Sequence, residues 1–222
     1  MELDDLWTKG YARLGTLLSR GECEGLRSMY EEEEGFRGRI DMARYRFGRG
    51  EYRYFAYPLP RLVQQWRTSL YGTLLPTARE WMERLGIEAE YPAEHEAFLQ
   101  QCHESGQTRP TPLLLRYRAG DFNCLHQDLY GPIVFPFQVV VALSEAGREY
   151  EGGELMLVEQ QPRAQSAGKV VRLRQGEAVA ITTRYRPVKG TRGYYRTNFR
   201  HGVSPVESGE RYTLGLIFHD AE

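Results

Sequence analysis

The stretch YRAGDFNCLHQD, residues 117–128, combines a β-strand pattern with two side chains that commonly bind metals. In an extended strand, residues two positions apart point to the same side, so His126 and Asp128 can reach one ion from one strand. An H-x-D triplet alone recurs by chance, but His201 and Arg211 follow further along the chain. Two imidazoles and one carboxylate on one face of a metal leave other coordination positions open. The sequence therefore predicts a metal site formed by His126, Asp128 and His201.

A polar segment with proline and glycine separates His201 from Arg211, which predicts a turn between two strands. If the strands fold back about Val206, His201 and Arg211 are cross-strand neighbours, with their Cβ atoms about 5 Å apart. An arginine in that position can hold a carboxylate through two parallel hydrogen bonds beside the metal. Thr213 lies two residues further on the same face, and its hydroxyl can donate to the same carboxylate.

From residue 112 onward the pattern is that of a β protein with eight strands. Eight strands fit a double-stranded β-helix, a form of jelly roll in which the second and seventh strands pair and bring His126 beside His201. Alternation along the last strand points Arg211, Thr213 and Gly215 into a pocket and the apolar residues between them outward. The predicted strands cover residues 112–118, 122–127, 134–144, 154–159, 169–174, 177–183, 196–203 and 211–218.

Residues 1–110 differ from the rest and predict an α-rich region packed on the barrel. Apolar periodicity predicts helices over 3–34, 60–86 and 93–105, the last a surface helix with two histidines. Between the first two lies an aromatic and basic segment, residues 36–57. The helices are expected to cover the outward apolar face of the last strand. The predicted fold class is therefore mainly β with an α-helical N-terminal region, and residues 111–222 are expected to form the double-stranded β-helix core of one structural unit.

The composition limits the cell compartment and the partners. The chain of 222 residues has a net charge of −1, so no overall positive field attracts a polyanion. Three cysteines without a C-x-x-C motif argue against a disulfide framework and for a reducing compartment. The N-terminus lacks an apolar signal core, and no apolar run approaches the roughly 20 residues of a membrane span. We therefore expect a cytoplasmic protein without a membrane partner.

These residues resemble the Fe(II)/2-oxoglutarate-dependent dioxygenase superfamily over about residues 111–222. The resemblance includes AlkB-like and prolyl-hydroxylase-like members, and it is closer to a bacterial family of oxygenases proposed to act on damaged DNA. The motifs that carry it are Tyr117-x-x-Gly120, His126-Gln127-Asp128, Arg200-His201-Gly202-Val203-Ser204, Ser208-Gly209-Glu210-Arg211, Thr213-Leu214-Gly215 and Ile217-Phe218-His219-Asp220-Ala221.

The resemblance implies an activity and a set of cofactors. Fe(II) would bind His126, Asp128 and His201. The co-substrate 2-oxoglutarate would chelate the metal, and its far carboxylate would meet Arg211, Thr213 and Tyr117. Dioxygen would take the remaining position, and a substrate C–H bond would be hydroxylated or a methyl group oxidatively removed.

Two departures from AlkB proteins argue against AlkB-style base demethylation, though not against oxygenation. AlkB proteins have an asparagine two residues before the tyrosine, where this chain has Leu115. They also have a second arginine six residues after the first, where this chain has Ile217.

Two basic and aromatic segments are candidates for substrate binding. Residues 184–200 contain six basic side chains and no acid, and residues 36–57 contain six arginines, two acids and seven aromatics. Basic side chains neutralise phosphates and aromatic rings stack on bases, so nucleic acid is one candidate partner. Equally, the arginines could brace loops by pairing with glutamates while the tyrosines pack. The candidate substrate residues are Arg192, Arg196, Tyr194, Arg49 and Tyr52.

Three functions therefore remain open. The first is oxidation of a damaged or modified nucleobase, and the second is hydroxylation of a protein side chain or a small metabolite. The third is a metal-binding barrel without turnover, which would have no use for a carboxylate clamp at Arg211.

Overall fold

The computed structural model describes residues 3–222, in which four helices precede most of the β-structure. A capping box begins the second helix, since the Ser19 hydroxyl accepts from the Glu22 amide and the Glu22 carboxylate accepts from the Ser19 amide. Gly86, in the left-handed conformation, ends the third helix. The helices are α1 (Asp4–Lys9), α2 (Arg20–Met29), α3 (Arg61–Leu85) and α4 (His95–Glu104).

Among the described residues, fourteen strands form two antiparallel sheets. The first seven strands are β1 (Tyr11–Thr16), β2 (Phe36–Asp41), β3 (Gly48–Arg49), β4 (Glu51–Phe55), β5 (Leu113–Arg118), β6 (Phe122–His126) and β7 (Phe137–Ala142). The others are β8 (Tyr150–Gly152), β9 (Leu155–Gln160), β10 (Ala167–Val171), β11 (Glu177–Thr182), β12 (Tyr185–Gly190), β13 (Gly193–Val203) and β14 (Val206–Ile217).

The larger sheet has the order β1-β11-β7-β14-β5-β4-β2, and β8 pairs with β14 at its side. The smaller sheet has the order β10-β9-β13-β6-β3, and β12 pairs with β13. Each of the eight strands predicted from residue 112 onward corresponds to an observed strand, and β8 and β12 are additional. The two sheets face each other as in a jelly roll, and the space between them holds the site described below.

The outer face of β14 is apolar and covered by helices, as its alternation predicted. Tyr212, Leu214 and Leu216 belong to one buried cluster with Leu6 of α1 and Trp81 of α3. Leucines and aromatic side chains make up most of this cluster. A fully buried leucine or phenylalanine contributes about 1.5–3 kcal/mol. The helices therefore hold the larger sheet from outside and leave its inner face to the site.

The prediction of helices throughout residues 3–34 is wrong for residues 11–16. Gly10, with a φ of 80°, ends α1, and the chain continues as β1, which pairs with β11 and forms the edge of the larger sheet. The segment 36–57 likewise adds strands to both sheets, since β4 pairs with β5 and β3 pairs with β6. The prediction of a surface position for α4 is wrong for His95, which is buried and bonded to the Phe218 carbonyl.

A buried ion pair joins α3 to the end of the chain. Arg67 and Asp220 are both fully buried, with 2.7 Å between Nη2 and Oδ1. Arg67 also donates to the carbonyl of Ile217, and Asp220 accepts from the hydroxyl of Tyr57. Burial raises the pKa of the Asp220 carboxyl, but Arg67 outweighs this effect and holds the pKa below its usual value.

A search of the helices within residues 3–222 finds none with the length and apolar character of a membrane span.

We predict that Arg67→Leu lowers the free energy of unfolding by about 3–5 kcal/mol, because it leaves a buried carboxylate without its cation. Because the pKa of Asp220 is lowered in the folded state, the stabilisation is present at neutral pH and is lost as the pH falls through that pKa. Urea unfolding of the wild-type and Arg67→Leu proteins at several pH values measures the free energy of unfolding and its pH dependence. The control is Arg61→Leu, an exposed position of the same helix. Equal losses in the two variants would contradict the structural role of the pair.

Candidate metal centre

The pairing of β6 with β13 places two histidines side by side. His126 and His201 are register partners, and their ring centroids are 4.2 Å apart. This confirms the predicted pairing of the second and seventh strands. His201 is buried, whereas His126 keeps part of its surface open to solvent.

Asp128 lies just beyond the end of β6. The prediction that it shares one strand with His126 is therefore wrong. Its Oδ2 lies 3.2 Å from Nε2 of His201, and its Oδ1 lies 3.5 Å from Nε2 of His126. One ligand atom from each of the three residues lies within 4.8 Å of the others. Two ligands about 2.1 Å from one ion and at right angles to each other are about 3 Å apart. The Asp128 carboxylate therefore already lies close to the separation from both imidazoles that one shared metal ion requires.

Neighbouring groups fix the orientation of two of these side chains. Nδ1 of His126 lies 2.8 Å from the Cys124 carbonyl, to which it can only donate, so Nε2 carries the lone pair that a metal needs. The Tyr130 hydroxyl donates to Oδ1 of Asp128 at 2.7 Å. Such outer contacts set the tautomer and direction of metal ligands.

The electrostatics keep the carboxylate charged. Burial raises the pKa of Asp128, but the charges and hydrogen bonds of His126 and His201 outweigh burial and hold that pKa well below its usual value. Burial and the nearby His126 lower the pKa of His201. Burial also lowers the pKa of His126, but Asp128 more than compensates, so that pKa is raised. Protons therefore compete with a metal mainly at His126, and metal affinity should fall in acid.

Arg211 is a buried cation that makes no ion pair within residues 3–222. It lies on β14 opposite Tyr117 of β5, its guanidinium carbon is 5.3 Å from the tyrosine ring, and its Nη1 has no hydrogen-bond partner. An unpaired buried charge is costly, so the pocket fits an anion. Thr213, two residues along the same strand, is also buried.

The predicted cross-strand pairing of His201 with Arg211 is wrong. The turn about residues 204–205 passes the chain from the smaller sheet to the larger one, so β13 and β14 do not pair. The two residues instead line the same cavity from opposite sheets. The two sheets enclose one cavity, and this brings His201 and Arg211 to the same site although the residues are not cross-strand partners.

All three candidate ligands line a cavity of about 210 Å³ between the sheets. Arg211, Thr213 and Gly215 face it, as the alternation of β14 predicted. Tyr117 is fully buried, and its hydroxyl accepts from the Asn123 amide at 3.3 Å. The remaining lining is largely apolar, and includes Leu113, Leu115, Val139, Val140, Leu155, Val203, Leu216 and Ile217.

The candidate substrate residues divide between two places. Tyr52 lines the cavity, and Arg49 pairs with Phe122 at the start of the ligand-bearing strand. Arg192, Tyr194 and Arg196 belong to the β12–β13 hairpin and do not line the cavity. Arg84 stacks on Tyr194, and Arg196 stacks on the ring of Tyr185. Among residues 3–222, no hydrogen bond or ion pair joins residues 184–200 to residues 36–57.

Several polar residues that line the cavity were not among the predicted site residues. The Tyr54 hydroxyl donates to that of Tyr130, which continues the chain of hydrogen bonds from Asp128. The Gln138 amide lies 3.1 Å from Nε2 of His201. Tyr130 could have been found, because it follows Asp128 by two residues. Tyr54 and Gln138 come from other strands and give no local signal.

A family model matches residues 50–221 of this chain. The family is Oxygenase-NA, described as "Oxygenase, catalysing oxidative methylation of damaged DNA". The match includes all three candidate metal ligands and Arg211. An uncharacterised protein of Mycobacterium tuberculosis is 52% identical over 167 residues, which are 75% of this chain and 72% of that protein.

Solved structures with a similar fold include two prolyl hydroxylases. A prolyl-4-hydroxylase of Pseudomonas putida has a TM-score of 0.58 at 17% identity, over 99% of this chain and 97% of that chain. The collagen prolyl hydroxylase of Paramecium bursaria Chlorella virus-1, solved as a 2OG complex, has a TM-score of 0.53 at 16% identity, over 93% and 94%. These similarities confirm the predicted double-stranded β-helix.

We predict that Tyr130→Phe weakens metal binding by about 10–100-fold, because Asp128 loses the donor that orients it. Calorimetric titration with Co(II) measures the affinity without turnover. Tyr54→Phe is the graded control, since it removes a hydroxyl that contacts Tyr130 and not Asp128. Equal affinities in the wild-type and Tyr130→Phe proteins would show that the 2.7 Å contact does not position the carboxylate.

Proposed function

We propose that this chain, which belongs to the Oxygenase-NA family, oxidises a damaged or modified nucleobase with Fe(II) as its metal and 2-oxoglutarate as its co-substrate. Family membership makes the protein an oxygenase and therefore an oxidoreductase. The observation that carries the choice of co-substrate is the buried, unpaired Arg211 in the same cavity as the His126, Asp128 and His201 cluster.

The residues present fit the metal. His126, Asp128 and His201 would hold Fe(II) on one face and leave positions open, as in other oxygenases with two histidines and one carboxylate. When bound, Fe(II) supplies the redox chemistry by which one oxygen atom of dioxygen enters a substrate C–H bond and the other enters succinate, with release of carbon dioxide. A methyl group oxidised in this way on a base nitrogen would leave as formaldehyde.

The residues also fit 2-oxoglutarate, whose two carboxylates need separate partners. Arg211 would bind the far carboxylate, and its unpartnered Nη1 is the donor that such a ligand would satisfy. The hydroxyls of Thr213 and Tyr117 lie on the same side of the cavity and would add neutral donors. Apolar side chains such as Leu155 and Val203 exclude water around the reacting groups.

The family description and the basic, aromatic segment 36–57 support a nucleic-acid substrate. The alternative is hydroxylation of a protein side chain, as in the prolyl hydroxylases that share the fold. Incubation with Fe(II), 2-oxoglutarate and dioxygen, followed by mass spectrometry of methylated oligonucleotides and of proline-containing peptides, separates the two.

Three free cysteines support a cytoplasmic location.

We predict that Asp128→Ala abolishes Fe(II)-dependent formation of succinate, because two histidines alone hold the metal poorly. The fold should persist, since Asp128 lies in a loop that faces the cavity. Asp5→Ala, an exposed position on α1, is the matched control. Full turnover by the Asp128→Ala protein would mean that the metal centre is elsewhere.

We predict that Arg211→Ala raises the dissociation constant of 2-oxoglutarate about tenfold or more and leaves metal affinity nearly unchanged. A hydrogen bond to a charged group contributes about 1.5–3 kcal/mol, so the loss of a single one already weakens binding by about tenfold. Calorimetry with 2-oxoglutarate on the Mn(II)-loaded protein measures the change. Arg118→Ala, exposed on the neighbouring strand β5, is the control. If 2-oxoglutarate binds both variants equally, another residue is the clamp.

A further inference from the structure

The turn between β2 and β4 places an exposed basic and aromatic surface at the opening of the cavity. We call it the mouth platform, and it consists of residues 44–49. Phe47 lines the cavity and is also 48% exposed, so it lies where the cavity meets solvent. Tyr45 is 49% exposed and stacks on Phe47, with 5.7 Å between ring centroids and 19° between planes.

The mouth platform is fixed to the strand that carries His126. Met42, at its base, is fully buried and packs with Tyr117. The carbonyl of Phe47 accepts from the amide of Cys124, two residues before His126. Gly48 pairs with Asn123 so closely that a Cβ there would lie 2.3 Å from the carbonyl oxygen of Phe122. The exposed rings therefore have a set position relative to the metal ligands and do not depend on a mobile loop.

The arginines of the mouth platform have no anionic or hydrogen-bonding partner among residues 3–222, although the guanidinium carbon of Arg44 lies 5.9 Å from the centroid of the Tyr45 ring. Other arginines of the same segment are paired within the protein. In the part of the chain that the structure describes, the guanidinium groups of Arg44, Arg46 and Arg49 make no hydrogen bond or ion pair. By contrast, Arg39 pairs with Glu51, and Arg53 donates to the Glu32 carbonyl. Arg37 donates to the carbonyl of Pro110.

Among residues 3–222, no acid forms an ion pair with the mouth platform. Asp41 accepts from the amide of Ala43 and begins the short 3-10 helix. Glu51 is held by Arg39 and Arg116. Three positive charges and two stacked rings are thus presented to solvent beside the cavity, although the whole chain carries a net charge of −1.

We infer that the mouth platform binds single-stranded nucleic acid, with bases next to the target stacked on Tyr45 and Phe47 and phosphates paired with Arg44, Arg46 and Arg49. This inference rests on the proposed function and specifies where its substrate is held. Every base has a flat π-face that an exposed aromatic ring can stack on, and the backbone supplies one phosphate per nucleotide. A target base could then turn into the cavity while its neighbours stay outside.

An acidic peptide fits these observations less well. It would satisfy the arginines but would leave the exposed ring faces of Tyr45 and Phe47 without a flat partner. Double-stranded DNA would keep its bases stacked on each other and out of reach of these rings. The stacked aromatic pair is therefore the feature that favours a single strand.

The test is fluorescence anisotropy with a labelled 12-nucleotide oligo-dT and protein loaded with Mn(II) and 2-oxoglutarate, over a range of salt concentrations. Tyr45→Ala with Phe47→Ala should raise the dissociation constant about tenfold or more, because stacked bases lose their partners. Arg44→Gln, Arg46→Gln and Arg49→Gln together should flatten the log–log salt slope by about 2, at roughly 0.7 for each lost phosphate contact. Phe47→Leu keeps an apolar side chain at that position and should still weaken binding.

The matched control is Arg61→Gln, Arg163→Gln and Arg174→Gln, which removes the same charge from exposed positions elsewhere. It should leave the salt slope unchanged. Absent binding by the wild-type protein, or equal binding by platform and control variants, would overturn the inference. The inference would also be overturned if an acidic peptide of equal charge displaced the labelled oligonucleotide as effectively as unlabelled oligo-dT does.

Succinate formation by the wild-type protein separates this inference from the proposed function. If the protein forms succinate and its oligonucleotide binding is unaffected by the mouth platform substitutions, only the surface assignment is refuted. Binding that depends on the mouth platform, without Fe(II)-dependent succinate, would refute the proposed oxygenase chemistry and support the surface.

Discussion

The antiparallel register between β6 and β13 is the constraint on which the site depends. It sets His201 against His126 across about 75 residues of sequence, and side chains alternate between the two faces of a strand. A slip of one residue would turn one histidine away from the cavity. The register is held from both sides, because β9 also pairs with β13 and β3 also pairs with β6. Asp128 can lie outside the strand because Tyr130 orients its carboxylate.

Two buried arginines show how the fold separates structure from function. Arg67 has a carboxylate, a hydroxyl and carbonyl groups around its guanidinium, so its charge is compensated and it joins α3 to the C-terminal residues. Arg211 is nearly as buried, but no carboxylate among residues 3–222 pairs with its guanidinium, whose carbon lies 5.3 Å from the Tyr117 ring. Burying an ion without a partner is unfavourable, so such a residue is maintained by a ligand or by function. This difference in compensation supports the proposal that Arg211 binds an anion.

The sequence was sufficient for features that depend on local alternation and was insufficient for those that depend on distant partners. The strands from residue 112 onward, the three ligands and the inward face of β14 follow from residue spacing. The strand β1 was missed because its short alternating pattern is also compatible with the end of a helix. Its pairing with β11, which is distant in sequence, makes the segment a strand. The pairing of His201 with Arg211 was wrong because a turn does not reveal whether the chain remains in one sheet. Tyr54 and Gln138 reach the cavity through sheet topology alone.

The arginines of residues 36–57 illustrate the same limit at the level of function. Composition shows six arginines in one segment but cannot tell a cation that braces the fold from one that faces solvent. The structure separates them by their partners: Arg39 and Arg53 face groups on other elements, whereas Arg44, Arg46 and Arg49 follow the turn at the mouth of the cavity. One segment thereby extends both sheets and presents exposed arginines at the mouth of the cavity, so the same strands that complete the fold also fix the position of these charges.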